Sequence, residues 1–140
     1  MTNDLADLRR FFAAAPFMVD LGIEPTAVEP GRVTTAMTLK PRHLQHTGQC
    51  HAGVMASIAD HSMGAAAQTL VDEGGLILTA ELKVSLLRAG RGHRLECEAR
   101  VIKPGRLLSF TEAEVYALDG DERRLVMKAS ATMAVTRIKP

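Results

Sequence analysis

Apolar and polar positions change their period twice along the chain. Leu5, Leu8, Phe11 and Phe12 recur at helical spacing through residues 4–14, and Pro16 stops the run. This predicts a helical segment within residues 1–20. A second short segment follows, and Gly22 to Val28 reads as an edge strand closed by the Pro30-Gly31 turn signal. From Arg32 the period is two. Val33, Thr35, Met37 and Leu39 alternate with Arg32, Thr34, Ala36 and Thr38, the pattern of a half-buried strand. Pro41 to Gln49 is a mostly polar loop. Ala52 to about Val71 returns to helical spacing, with Val54, Met55, Ile58, Ala59, Ala66 and Leu70 as its apolar stripe. Asp72-Glu73-Gly74-Gly75 ends it. Beyond Gly75 the period is two again. Leu82, Val84 and Leu86 alternate with charged or hydroxyl residues, and so do Leu95, Cys97, Ala99 and Val101. Leu107 to Ala117 and Leu125 to Val135 complete four successive strands.

Four long strands in a row exclude a parallel sheet with crossover helices. The order predicts an α+β domain spanning residues 1–140, with one long helix against one antiparallel sheet of five or six strands. Such a layer leaves edges open, which predicts pairing with a second copy of the chain. The second stripe of the long helix points the same way. Gly53, Ala56, Ser57, Asp60, Gly64 and Ala67 are nearly all small. Glycine in a helix costs roughly 1 kcal/mol relative to alanine, so something should approach that face closely.

Composition narrows the function. The chain has 140 residues, 46% apolar and 24% charged, with 17 basic and 16 acidic residues and a net charge of +1. A near-neutral charge argues against a nucleic-acid partner, and 4% aromatics without tryptophan argue against a base-stacking platform. No apolar run approaches the ~20 residues of a membrane span. The start, with mixed acidic and basic residues, is unlike a signal peptide. Cys50 and Cys97 form no paired motif, so a reducing cytoplasm is the expected setting.

The densest polar cluster, His43 to Gly53, runs directly into the small-residue helix, where Asp60 follows among apolar neighbours. Asp60 is either solvated or a carboxylate held in a cleft as nucleophile or general base. His43, His46, His51, His61 and Cys50 match no zinc spacing, so no metal is expected. Cys50 and its neighbour His51 diverge in regular structure and make a poor nucleophile pair. Ser57 and Ser62 lack the glycine-flanked turn of a serine hydrolase.

Gln45, then His51-Ala52-Gly53-Val54, then Ile58-Ala59-Asp60 resembles the signature of hotdog-fold acyl-CoA thioesterases. It is most similar to their 4-hydroxybenzoyl-CoA and phenylacetate-degradation branch. Thr79 to Arg88 resembles the family's central strand, and Lys103-Pro104-Gly105-Arg106 its hairpin turn. The resemblance covers nearly the whole chain. It implies a hotdog fold, a long central helix wrapped by five or six antiparallel strands. It also implies hydrolysis of a medium-chain or aromatic acyl-CoA to free acid and CoA. Asp60 then matches the helix carboxylate. Gln45 matches the amide that contacts the carbonyl or positions water. Ala52 and Gly53 match the glycine pair whose N–H groups polarise the carbonyl, with Gly53 as the main donor. A helix start suits that task because its N–H groups are free and its dipole end is positive. His51, Ser57 and Gly64 would border the substrate. Ala52 departs from the usual glycine, which keeps the donor and adds a methyl. Gly64 stands where some members carry a hydroxyl. Lys83, Arg88, Arg91, Lys103 and Arg106 are the cations that could meet CoA phosphates. The implied site lies between subunits of a homodimer or a dimer of dimers. CoA enters as part of the substrate, and no cofactor is expected. Two other readings stand beside this one: a non-catalytic acyl-CoA-binding module, and a dehydratase built on His51 and Asp60.

Overall fold

A computed structural model describes residues 4–137. The first three and last three positions of the expected 1–140 domain, including the first three of its 1–20 helical segment, lie outside the described residues. The chain opens with α1 (Leu5–Ala13), whose first turn is closed by the Asp4 carboxylate accepting the Ala6 N–H at 2.8 Å. A second helix, α2 (Pro16–Leu21), starts on Pro16 and ends on Gly22 at φ +78°. That left-handed glycine explains why the first strand begins after it, later than the apolar pattern suggests.

The strands are β1 (Glu24–Glu29), β2 (Arg32–Thr38), β3 (Gly75–Leu86), β4 (Arg94–Lys103), β5 (Leu108–Asp119) and β6 (Glu122–Arg137). Between β2 and β3 run a 3-10 turn (Pro41–His43) and the long helix α3 (Ala52–Gln68). All strands pair antiparallel in one sheet, in the order β1-β2-β4-β5-β6-β3. This is the wrapped-helix α+β architecture that the resemblance implied. α3 stops three residues before the expected Val71. There Thr69 Oγ1 donates to Ala66 O and accepts the Gly31 N–H, so the helix end is tied to the β1–β2 turn.

α3 lies across the inner face of the sheet. Met55, Ile58, Met63 and several alanines on the helix share one core with Val33, Met37, Leu95, Val115, Met127 and Met133 on the strands. Small residues at the meeting layers, such as Ala66 on α3 and Ala99, Ala113 and Ala129 on the sheet, let the layers sit close. The outer face stays polar. It carries the Arg100–Glu112 ion pair and Arg123 between Glu96 and Glu98. Exposed pairs of this kind add little to stability.

β3 is the uncovered edge. Leu82, Val84 and Leu86 point to the helix side of the sheet, opposite Ala131, Ala129 and Met127, yet all three are exposed because α3 does not reach them. The start of β3 is fixed by Gln68. Its buried side-chain amide donates to Gly75 O at 2.9 Å and accepts the Ile77 N–H at 3.0 Å. Gln68→Leu removes both partners and leaves two strand groups unpaired. It is expected to cost about 1–3 kcal/mol and to lower Tm by several degrees, read by thermal unfolding. An unchanged Tm would contradict this clamp.

Candidate active site

α3 presents its sheet-facing residues to the core and its small-residue stripe to the flank. Ala56, Ser57, Asp60 and Gly64 are half-buried on that flank, and Gly53 is exposed. Ala67 is buried in the core. Asp60 therefore stands neither in open water nor under the sheet. Its Oδ1 accepts a hydrogen bond of 2.7 Å from Thr79 Oγ1. Thr79 reaches it because β3 is irregular between Thr79 and Glu81. The extra residue turns Thr79 to the helix side, where it pairs with Met133. Asp60 and Thr79 border a cavity of about 100 Å³.

The start of α3 builds a second feature. His51 is the N-cap, and its Nδ1 accepts the Gly53 N–H at 2.8 Å. The Val54 N–H goes to His51 O at 3.0 Å. The Gly53 donor assigned to the carbonyl is thus already paired, because an aromatic cap nitrogen lies within its reach. Among the described residues the Ala52 N–H has no partner. Ala52 and Gln45 together line an opening of about 270 Å³ with Met55, Leu87 and Arg88. Backbone bonds hold the loop behind it, among them Gln45 N–H to Gln49 O at 2.8 Å, Cys50 N–H to Gly90 O at 2.8 Å and His51 N–H to His43 O at 2.9 Å. Ser57 Oγ donates back to Gly53 O at 2.7 Å, one turn earlier on the helix.

One chain does not bring the expected residues together. Gln45 and Ala52 border one opening and Asp60 and Thr79 another, with no residue in common. Two turns of helix, about 10 Å, separate Gly53 from Asp60 along α3. The cations are also dispersed. Arg88 lines the Gln45 opening and gives one N–H to Leu125 O at 2.9 Å. Lys83 lies on the outer face, opposite Ser130 and beside Lys128. Arg91, Lys103 and Arg106 are exposed. Lys103 and Arg106 flank the β4–β5 turn, whose Leu107 O accepts the Val135 N–H, at the sheet end opposite Arg88.

The rival nucleophiles are occupied or buried. Burial pushes the Cys50 thiol up to about 11 and the Cys97 thiol up to about 12, so neither supplies a thiolate. Ser62 Oγ is buried in a 2.7 Å hydrogen bond with Thr35 Oγ1. His61 stacks on Phe11 at 5.8 Å and meets Phe12 edge-on at 4.4 Å. Burial lowers its pKa, against the raising effect of Asp60. Thr79 is the site residue that the sequence pattern missed, since strict alternation from Leu82 back along β3 puts it on the outer face.

A family model described as the thioesterase superfamily matches residues 47–123. A Caenorhabditis elegans protein that carries an esterase name is 32% identical over 93 residues, 66% of this chain and 54% of that protein. The chain thus spans about half the length of this curated relative. Among solved structures, a thioesterase family protein from Silicibacter pomeroyi is 34% identical, with a TM-score of 0.93 over 96% of this chain and 100% of its own. A thioesterase from Pseudomonas aeruginosa is 25% identical, with a TM-score of 0.87 over 99% of this chain and 97% of its own. The matched stretch runs from the loop before α3 through β5, and so takes in the helix start, Asp60 and Thr79: this chain belongs to the thioesterase superfamily.

Proposed function

We propose that the chain hydrolyses acyl-CoA thioesters to free acid and CoA. The observation that carries this reading is the half-buried Asp60 carboxylate, held by Thr79 beside an open cavity in the middle of a helix. A binding module gains nothing from a charge kept at that position. Asp60 takes the proton from a water that attacks the carbonyl, or attacks the carbonyl carbon itself to form a mixed anhydride that water then hydrolyses, releasing the acid and restoring the carboxylate. The C–S bond breaks, and the departing CoA sulfur takes up a proton to leave as the thiol. The free Ala52 N–H at the positive end of α3 is the oxyanion donor, with the Gln45 amide beside it. This moves the donor from Gly53 to its neighbour. Both thiols are free and buried, which fits a reducing compartment. No described helix is long and apolar enough to cross a membrane.

The two half-sites call for a second copy. β3 leaves Leu82, Val84 and Leu86 exposed on the same side as the small-residue flank of α3. Pairing of β3 with the same strand of another chain covers both. Antiparallel pairing also sets the Lys103–Arg106 turn of one chain toward the Arg88 end of the other, gathering cations that one chain keeps apart. The site is then composite, with Asp60 and Thr79 from one subunit and Gln45 and Ala52 from its partner.

Asp60→Asn keeps the shape and removes the base. Thiol release from acyl-CoA should fall by at least ~10², while acyl-CoA binding and Tm stay near the parent values. Turnover at the parent rate in the folded variant would sink the reading. Val84→Lys places a charge on the open edge. Sedimentation should give a monomer with the parent circular dichroism and little thiol release; a fully active oligomer would remove β3 from the interface.

A further inference from the structure

The cavity beside Asp60 has a wall that does not come from α3 or the sheet. Phe11 of α1 closes one side of it. α1 is firmly seated: Leu8 and Phe12 on its inner side are buried, at 0% and 3% exposure. The Phe11 ring is braced a second time by its stack on His61, whose plane lies within 22° of its own. Phe12 in turn abuts the same imidazole at right angles. A ring carried on a seated helix and stacked on an imidazole is a fixed boundary rather than a swinging side chain.

Gly64 borders the same cavity from α3. A Cβ built there meets no atom of the chain within 4 Å. Packing within the chain therefore does not demand a glycine. A helix-interior glycine costs about 1 kcal/mol relative to alanine, so the space it keeps open has a use. Ile77 and Ala65 add apolar wall at this end, beside the His61 ring and the Gln68 amide. Gln68 offers nothing to a ligand, since its amide is spent on Gly75 and Ile77. The end of the cavity away from Asp60 and Thr79 is therefore walled by the Phe11 and Ile77 side chains beside the His61 imidazole. As one chain forms it, the cleft is small, about 100 Å³.

We propose that Phe11, braced by His61, is the residue that limits the size of the acyl group, and that the pocket takes short, uncharged acyl chains in preference to longer chains and aromatic rings. This rests on the reading of Asp60 as the catalytic carboxylate. A short chain fills the space between Asp60 and the Phe11 ring. A longer chain or a ring must displace Phe11, which breaks the stack with His61. Gly64 sets the width and Phe11 the depth. The N-terminal helix thus acts as a specificity element for a site whose chemistry stands on α3 and β3.

The test uses non-hydrolysable thioethers of CoA, carrying butyl, octyl or benzyl groups, with binding read by calorimetry on the full-length chain. These probes span the medium-chain and aromatic groups that the sequence resemblance implied. The parent should bind the butyl probe tightest. Phe11→Leu keeps an apolar contact under α1, and Phe11→Ala removes the ring. Both should shift the butyl-to-benzyl ratio of Kd toward the larger group, by about tenfold or more for alanine, the scale of discrimination by pocket shape. Gly64→Ala should shift the ratio the other way while raising Tm, which shows that the fold is intact. Equal ratios in the parent, a folded Phe11 variant and Gly64→Ala would overturn the proposal, as would a parent that binds the benzyl or octyl probe tightest, or no probe at all. Thiol release from the matching acyl-CoA esters separates the two readings. Size selection without any thiol release would overturn hydrolysis and leave the wall standing. Thiol release with unchanged size selection would do the reverse.

Discussion

The seating of α3 on the inner face of the sheet decides where every site group stands. Met55, Ile58, Ala59, Met63 and Ala66 are sealed in the core, each at 3% exposure or less. A helix fixed on that side has no freedom to roll. Asp60 is then held on the flank, half-buried and close enough to β3 to meet Thr79. One turn of roll inward would bury the carboxylate unpaired, at a cost of several kcal/mol. Rolling outward would take it away from Thr79 and leave it in water. The small residues on both layers make this tight seating possible, and the buried Gln68 amide fixes the start of β3 against the C-terminal end of the same helix.

The same seating leaves a deliberate gap. α3 covers β2, β4, β5 and β6 but leaves the apolar inner side of β3 bare beyond Thr79. An apolar edge of this length is a site for strand addition unless another chain fills it. The flank of α3 that looks toward this gap carries glycine, alanine, serine and Asp60 rather than large side chains. Both features fit the proposed pairing with a second copy, which would also join the two openings that one chain keeps apart.

Much of this was legible in the sequence, and the failures have physical causes. The element order, the helix over Ala52 and the polar outer face follow from periods of 3.6 and 2. Asp60 is conspicuous because aspartate is out of place among Ile58, Ala59 and Met63. Thr79 was not legible, because a single extra residue in β3 reverses which side it faces, and no alternation rule shows where such an irregularity falls. The resemblance pointed to the Gly53 N–H as the main donor. That N–H is paired because His51 both caps the helix and carries a ring nitrogen at the right height, a side-chain geometry that spacing does not encode. Phe11 read as one more core residue of an amphipathic helix. Its position beside Asp60 depends on how α1 packs back over α3, a contact between elements far apart in the chain.

The central claim is that one working site takes Asp60 from one subunit and Gln45 from its partner. Mixing tests it directly. Asp60→Asn and Gln45→Ala chains are unfolded together, refolded at equal amounts, and assayed for thiol release beside each variant refolded alone. A composite site gives mixed dimers in which one of the two sites has every group intact. The mixture should then exceed the mean of the two separate variants and approach about a quarter of the parent activity, the share expected for random pairing of chains in a twofold dimer. Activity equal to that mean, with mixed dimers shown to be present, would place the whole site within a single chain and contradict the account.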